Sequence, residues 1–241
     1  MLLSWHGFGT RTNSRLEWLD DSLAYAAPVP TRRDAGLETE RVKHIYERMA
    51  AGYDRQLDWV DGFMFRDGRA WVCSQAHGDV LEVAIGTGRN LPLYPADARL
   101  TGVDLSPAML ELARRRGAVL GREVDLRLGD AQALPFRDAT FDAVVSTLAF
   151  STIPDPDKAA AEARRVLRPG GLLLVLDHVR SPIRAVRLIQ RLLDPILVRF
   201  QGDHVLREPL EPLTAAGFRI EVAERARWGI VECIAARALA G

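Results

Sequence analysis

The stretch that most restricts what this chain can fold into is 79–84 (DVLEVA), an apolar run that passes straight into a turn built on Gly86 and Gly88. A strand that ends in a glycine turn and feeds a helical segment is the building unit of parallel α/β sheets. Four further strand-like runs follow: 99–103 (RLTGV), 124–128, 141–146 (FDAVVS) and 172–176 (LLLVL). The last is apolar throughout, as a parallel strand buried on both faces should be. Between the runs lie helical segments. Ser106-Pro107 supplies an N-cap and a first-turn proline, and 157–167 is closed by Arg168-Pro169-Gly170-Gly171. This alternation predicts an α/β fold with a doubly wound, mostly parallel sheet. Two late strand-like runs, 219–224 and 230–236, are too close for a parallel crossover, so a C-terminal antiparallel hairpin is expected.

Upstream, Val42, Ile45, Tyr46 and Met49 recur at helical spacing, Gly52 is expected to stop that helix, and a second helix is expected over 63–76. Residues 1–36 hold Pro28 and Pro30 and show no period; they read as an N-terminal arm, with a mis-called start as the alternative, and 37–241 as the folded domain. At 48% hydrophobic residues, 241 residues can bury a sizeable core in one domain. Lys plus Arg and Asp plus Glu both number 32, so the chain carries no general basic excess for nucleic acid. Cys73 and Cys233 form neither a disulfide framework nor a metal signature. There is no HExxH and no His/Cys cluster, so no metal is expected. No run reaches the length of a membrane span and the N-terminus lacks signal-peptide character; a cytoplasmic location is expected.

The glycine turn alone is a weak signal. The third glycine of GxGxxG is replaced by Leu91, which lowers a dinucleotide reading. Asp104 closes the second strand in VDLSPAML, where a carboxylate can accept hydrogen bonds from both ribose hydroxyls of a nucleoside. Asp130 closes the third strand in GDAQALPF, where it can accept from an adenine amino group, with Ala131 beside it.

These runs, with FDAVVSTLAF and EARRVLRPGGLLLVLDH, resemble the class I S-adenosylmethionine-dependent methyltransferases in order and spacing over roughly 42–236. The pattern is most similar to the ubiquinone/menaquinone-type C-methyltransferases, and IGTGRNLPLYP and LDHVRSP also resemble the methyltransferase-like family acting on alkyl thiols. The resemblance implies a Rossmann-like fold and S-adenosylmethionine as cofactor. It implies that Glu82, Ala84, Gly86 and Gly88 face the methionine part, and that Asp104 binds the ribose. Leu105 and Met109 would line adenine and ribose, Asp130 and Ala131 would hold adenine, and Thr147, Leu148 and Ala149 would run under the cofactor. Tyr53, in HIYERMAAGYD, would close over the carboxylate end, with Tyr46 second. Ala84 departs from the family's ExGxGxG, where glycine stands.

Methyl transfer from a sulfonium is an in-line displacement helped mainly by proximity and orientation, so the family has no universal catalytic set. His178, in LDHVRSP, and His204, in QGDH, are the candidate bases. Residues 178–210 form an insert whose segment 183–199 places Ile183, Val186, Ile189, Leu192 and Leu193 on one helical face, with Arg184, Arg187 and Arg191 elsewhere. It is expected to pack on the sheet as a cap bounding the substrate pocket; the alternative is contact with a membrane surface. The expected activity is methylation of a small, hydrophobic acceptor at O, N, S or C. A non-catalytic cofactor-binding protein and an NAD-dependent oxidoreductase are the alternatives. A nucleic-acid acceptor is disfavoured by the neutral charge and by STLAF where an (N/D)PPY-like tetrapeptide would stand.

Overall fold

A computed structural model describes residues 32–239. Most of the expected arm, 1–31, lies outside the described residues; 32–36 belong to a helix, α1 (Arg32–Met49). Val42 and Ile45 are its buried positions. Gly52 is a joint rather than a stop, because a 3-10 turn (Ala50–Gly52) leads directly into α2 (Tyr53–Met64). The single helix expected over 63–76 is α3 (Arg66–Ser74). The sequence pattern hid α2 because its large apolar residues, Trp59, Val60 and Phe63, face outward and set up no core-facing period.

The sheet holds β1 (Asp79–Val83), β2 (Arg99–Asp104), β3 (Val124–Leu128), β4 (Phe141–Thr147), β5 (Leu167–His178), β6 (Phe218–Ala226) and β7 (Val231–Ala238). Their order is β3-β2-β1-β4-β5-β7-β6, parallel as far as β5, with β7 antiparallel to both β5 and β6. This is the α/β, Rossmann-like, doubly wound architecture with an antiparallel C-terminal hairpin that the alternation predicts. β1 is buried from Val80 to Val83, and Leu173–Leu176 of β5 are wholly enclosed. Arg168-Pro169-Gly170-Gly171 closes no loop: it lies inside β5 as an irregularity between the pairs Phe141↔Leu167 and Ala143↔Leu172, with Gly170 at φ +80°.

One apolar core joins β4 and β5 to α5 (Pro156–Val166) and α7 (Leu210–Ala215) through Ala160, Ala163, Val166 and Leu213. The other joins β1, β5 and β7 to α3 and to α4 (Pro107–Leu120) through Val72, Leu110, Leu174 and Cys233. Ser106 caps α4 as expected, its Oγ accepting from Met109 N at 3.3 Å. The insert forms α6 (Arg184–Gln201), which buries only Gln190 and Asp194 and leaves Leu188, Ile189, Leu192, Leu193 and Ile196 in solvent. The expectation that its apolar face packs on the sheet is therefore corrected: polar bonds, not apolar burial, attach this helix.

Candidate active site

The strand order reverses between β1 and β4, and a crevice beyond the carboxyl ends of strands at such a point is where open α/β sheets bind ligands. A cavity lies there, with about 720 Å³ of empty space when its mouth is included. Each strand delivers residues to it: Ala84 and Gly86 after β1, Asp104 and Leu105 at the end of β2, Asp130 and Ala131 after β3, Thr147 and Leu148 at the end of β4. Met109 from the first turn of α4, Tyr46 from α1 and Tyr53 from α2 complete the set of expected residues in one lining.

The local backbone explains how these groups converge. Gly86 has φ +57°, and a Cβ placed there would meet nothing nearer than 4.0 Å, so the chain presents bare backbone to the cavity. Both Ala84 (φ +54°) and Leu148 (φ +55°) hold the left-handed conformation that side chains ordinarily avoid. Such strain gathers where a site needs an unusual backbone. Asp104 is fixed by backbone donors: Gly86 N donates to Oδ2 at 2.8 Å and Ser106 N to Oδ1 at 2.9 Å. Burial raises its pKa, against these hydrogen bonds. Asp130 is held by Gln132, whose amide nitrogen lies 3.0 Å from both carboxylate oxygens. Burial also pushes the Tyr53 phenol up to about 12 and Tyr46 well above the usual tyrosine range, so both stay protonated near neutrality.

Five expected residues fall outside this lining. Gly88 (φ +75°) serves packing: a Cβ there would come within 3.2 Å of the Ala113 backbone in α4. Ala149 is buried in the core beside α5. Glu82 points into a buried polar network, where its carboxylate accepts from Asn90 Nδ2 at 2.7 Å and Tyr94 OH at 2.9 Å; burial raises its pKa to about 7. His178 is clamped. Its Nε2 lies 2.7 Å from Asp203 Oδ1 and its Nδ1 3.3 Å from Asp177 Oδ1. Burial lowers the imidazole's pKa, but Asp203, then Asp177 and Asp194, outweigh it and hold the group at about 9. An imidazolium bound at both nitrogens is not placed to take a proton near neutral pH. His204 is the reverse: burial, then Arg207, push it down to about 4, and it too lies away from the cavity wall.

The sequence reading also missed the frame that holds the site. Arg69 of α3 is buried, donates to Asp61 Oδ1 at 2.8 Å, and reaches Asn90 Oδ1 at 3.0 Å and Thr147 Oγ1 at 2.9 Å. Asn90 Nδ2 also donates to Thr147 Oγ1 at 2.9 Å. This network ties the glycine turn and Glu82 to the cavity-facing end of β4. Asn90 and Tyr94 stood within IGTGRNLPLYP; Arg69 had no signal beyond an arginine in an otherwise core-facing helix. Val42, Lys43, Thr152, Ile153 and Pro154 also line the cavity; of these only Val42 belongs to a pattern that the sequence reading singled out.

The lining suits an adenosine-bearing cofactor. Val103, Leu105, Met109 and Ala131 give apolar walls, bare backbone lies at Gly86, and acceptor carboxylates stand at Asp104 and Asp130. Among the described residues no cluster of His, Cys, Asp and Glu could hold a metal ion.

Comparison with known proteins agrees. Residues 81–175 match the family model described as a methyltransferase domain. A phosphatidylethanolamine N-methyltransferase from Cereibacter sphaeroides is 37% identical over 155 residues, covering 62% of this chain and 75% of that protein. A ubiquinone/menaquinone biosynthesis C-methyltransferase from Paracoccus denitrificans is 37% identical over 154 residues, covering 59% of this chain and 60% of that one. Among solved structures, an S-adenosylmethionine-dependent methyltransferase from Thermotoga maritima, described as a possible histamine N-methyltransferase, superposes with a TM-score of 0.65 at 26% identity, over 82% of this chain and 99% of that one. With the motifs in order, the switch-point cavity and this kinship, the chain belongs to the class I S-adenosylmethionine-dependent methyltransferases.

Proposed function

We propose that this enzyme transfers a methyl group to a small, hydrophobic acceptor held in the same cavity, by in-line displacement in which the acceptor–methyl bond forms as the methyl–sulfur bond breaks, S-adenosylhomocysteine leaves, and the acceptor's proton passes to water without a dedicated base. The observation that carries this reading is the lining itself. It is mainly apolar, and both candidate histidines lie outside it, one held as an imidazolium and the other pinned in the segment after α6.

S-adenosylmethionine, when bound, supplies an electrophilic methyl group on a sulfonium. The chain's part is placement. Asp104, already aligned by Gly86 N and Ser106 N, would accept from the ribose hydroxyls, and Asp130, steadied by Gln132, from the adenine amino group. Leu105 and Met109 would enclose the rings. Tyr46 and Tyr53, with centroids 6.0 Å apart, would stand over the methionine end as protonated donors. Holding donor and acceptor in reacting geometry can account for several kcal/mol of barrier, roughly 7–11 at its upper range. The names of two relatives, one acting on phosphatidylethanolamine and one in ubiquinone/menaquinone biosynthesis, support an acceptor of lipid character.

The test is calorimetric titration with S-adenosylhomocysteine, with NAD as control, followed by transfer of isotopically labelled methyl to a panel of quinol, phenol, thiol and amine acceptors. Binding of S-adenosylhomocysteine alone, with label appearing in an apolar acceptor, is expected. Failure to bind it, or label confined to polar acceptors, would refute the reading.

A further inference from the structure

α6 is attached by its polar side. Gln190 accepts from Ser181 N at 2.8 Å and donates to Val179 O at 2.9 Å and Val205 O at 3.1 Å, and Asp194 is buried beside it. The opposite side carries Leu188, Ile189, Leu192, Leu193, Ile196 and Phe200, each 46–68% exposed. These recur at three- and four-residue spacing, so they form one continuous stripe. Solvent-facing helices ordinarily turn such a stripe inward; an outward stripe of this size marks a surface made for contact.

Other exposed aromatic residues are tied to the start of the same insert. Ser181, just before α6, donates through Oγ to Trp228 O at 2.7 Å. Trp228 sits at the tip of the β6–β7 hairpin, 61% exposed, and Arg227 and Trp228 hold φ of +51° and +59° in a turn that ordinarily takes Asn-Gly. Arg227 in turn stacks over the Phe63 ring of α2 at 4.8 Å, and Phe63 stacks on the exposed Trp59. The tip therefore joins the segment that leads into α6 to the outward face of α2.

We propose that this belt is a docking surface for an anionic lipid bilayer. Charge selects the occupant. α6 carries Arg184, Arg187, Arg191 and Arg199, and its one acidic residue, Asp194, is buried. None of the four arginines is joined to a carboxylate among the described residues. The chain as a whole is neutral, so this basic edge is a local feature. Apolar and aromatic side chains bordered by arginines are the pattern of helices that lie in the headgroup layer. No described helix is long and apolar enough to cross a membrane, which leaves the interfacial mode. A second copy of the chain would set one arginine-rich face against another.

The position gives the surface a use. Arg41 of α1 donates to Val198 O at 3.0 Å and Arg199 O at 3.3 Å, and the same helix gives Val42, Lys43 and Tyr46 to the cavity. A docked molecule would hold that helix at the bilayer, where an acceptor dissolved in lipid resides; this consequence rests on the methyl-transfer reading, while the docking does not.

The test is co-sedimentation of the full chain with vesicles of phosphatidylcholine alone and of phosphatidylcholine with phosphatidylglycerol, without cofactor. Binding to the anionic vesicles, weakened by salt, is expected. Arg184→Gln and Arg191→Gln should each weaken it roughly fivefold. Leu192→Glu with Ile196→Glu should abolish it, with the thermal melt and the affinity for S-adenosylhomocysteine unchanged, since both positions are already exposed. Either of two results would overturn the proposal: no vesicle binding by folded protein, or equal binding to both vesicle types. A dimer broken by the same double substitution, without vesicle binding, would assign the face to self-association instead.

Discussion

Replacing His178 by glutamine separates a structural imidazolium from a catalytic base. The ring lies between Asp203 and Asp177 and is largely buried, and its pKa is held at about 9 against an ordinary value of 6.5. Folding therefore favours the protonated form. The resulting stability is fully present below pH 6.5 and is lost as pH rises through about 9. A displacement of this size corresponds to about 3 kcal/mol. Asp203, at 17% side-chain exposure, loses its cationic partner in the variant, and breaking one side of a buried pair costs a similar amount, about 3–5 kcal/mol. The assay is urea unfolding of wild type and His178→Gln between pH 6 and 10. The wild type should exceed the variant by about 3 kcal/mol at pH 6.5, and the gap should close above pH 9.5. Glu82, raised by burial to about 7, also loses stability as pH rises, but in both proteins alike, so it cancels in the difference. A gap independent of pH would refute the imidazolium clamp. So would a variant of unchanged stability whose turnover collapses, because that is the signature of a base.

Asp104→Ala should weaken S-adenosylhomocysteine by about 1.5–3 kcal/mol, the worth of a charge-assisted hydrogen bond, measured by calorimetry; unchanged affinity would move the ribose elsewhere. Gly86 and Gly88 should part company. Gly88→Ala drives a Cβ to 2.9 Å from Leu91 Cδ1 and 3.2 Å from the Ala113 backbone at φ +75°. It should cost about 2–3 kcal/mol of stability with little change in cofactor affinity once folded. Gly86→Ala meets open space and should cost about 1 kcal/mol of stability, while weakening the cofactor more than tenfold because the added methyl fills the cradle. Equal effects on melting and on affinity at the two glycines would overturn that division. Arg69→Met leaves buried Asp61 with Arg89 alone, at 3.1 Å, and strips a donor from both Asn90 and Thr147; thermal unfolding should show a loss of about 3 kcal/mol, the low end for a broken buried pair because Arg89 stays.

What the sequence made legible was whatever repeats locally. β1, β4 and the middle of β5 are apolar runs with turn signals at fixed offsets, and many of the groups that line the cavity sit at or just beyond the strand ends, where chain order alone brings them together. Asp104, Asp130 and Leu105 were readable for that reason. Glu82 was not: β1 is buried on both faces, and only the fold shows that its carboxylate turns toward Asn90 and Tyr94 instead of the crevice. The Arg69 frame was invisible because its members are 8, 21 and 78 residues from the arginine, and no periodicity links them. The same holds for His178, whose partner Asp203 arrives 25 residues later from beyond α6.

α6 is the case where a local pattern was read correctly and its orientation was not. Helical spacing of Ile183, Val186, Ile189, Leu192 and Leu193 shows that a stripe exists; it cannot say which way the stripe faces. That is decided by the polar side, where Gln190 satisfies three backbone groups and the buried Asp194 fixes the helix from beneath. Turning α6 over to bury its leucines would leave Ser181 N, Val179 O and Val205 O without Gln190. Each buried backbone group left unpaired costs about 1–3 kcal/mol, and each leucine or isoleucine turned inward would return about 1.5–3 kcal/mol. The apolar side thus stands to gain more from cover than the polar anchor costs to break, and the outward orientation keeps both when something covers the stripe. An exposed stripe held in place by a buried glutamine therefore predicts that Gln190→Leu destabilises α6 and weakens vesicle binding together, a coupling that circular dichroism and co-sedimentation on the same preparation would detect.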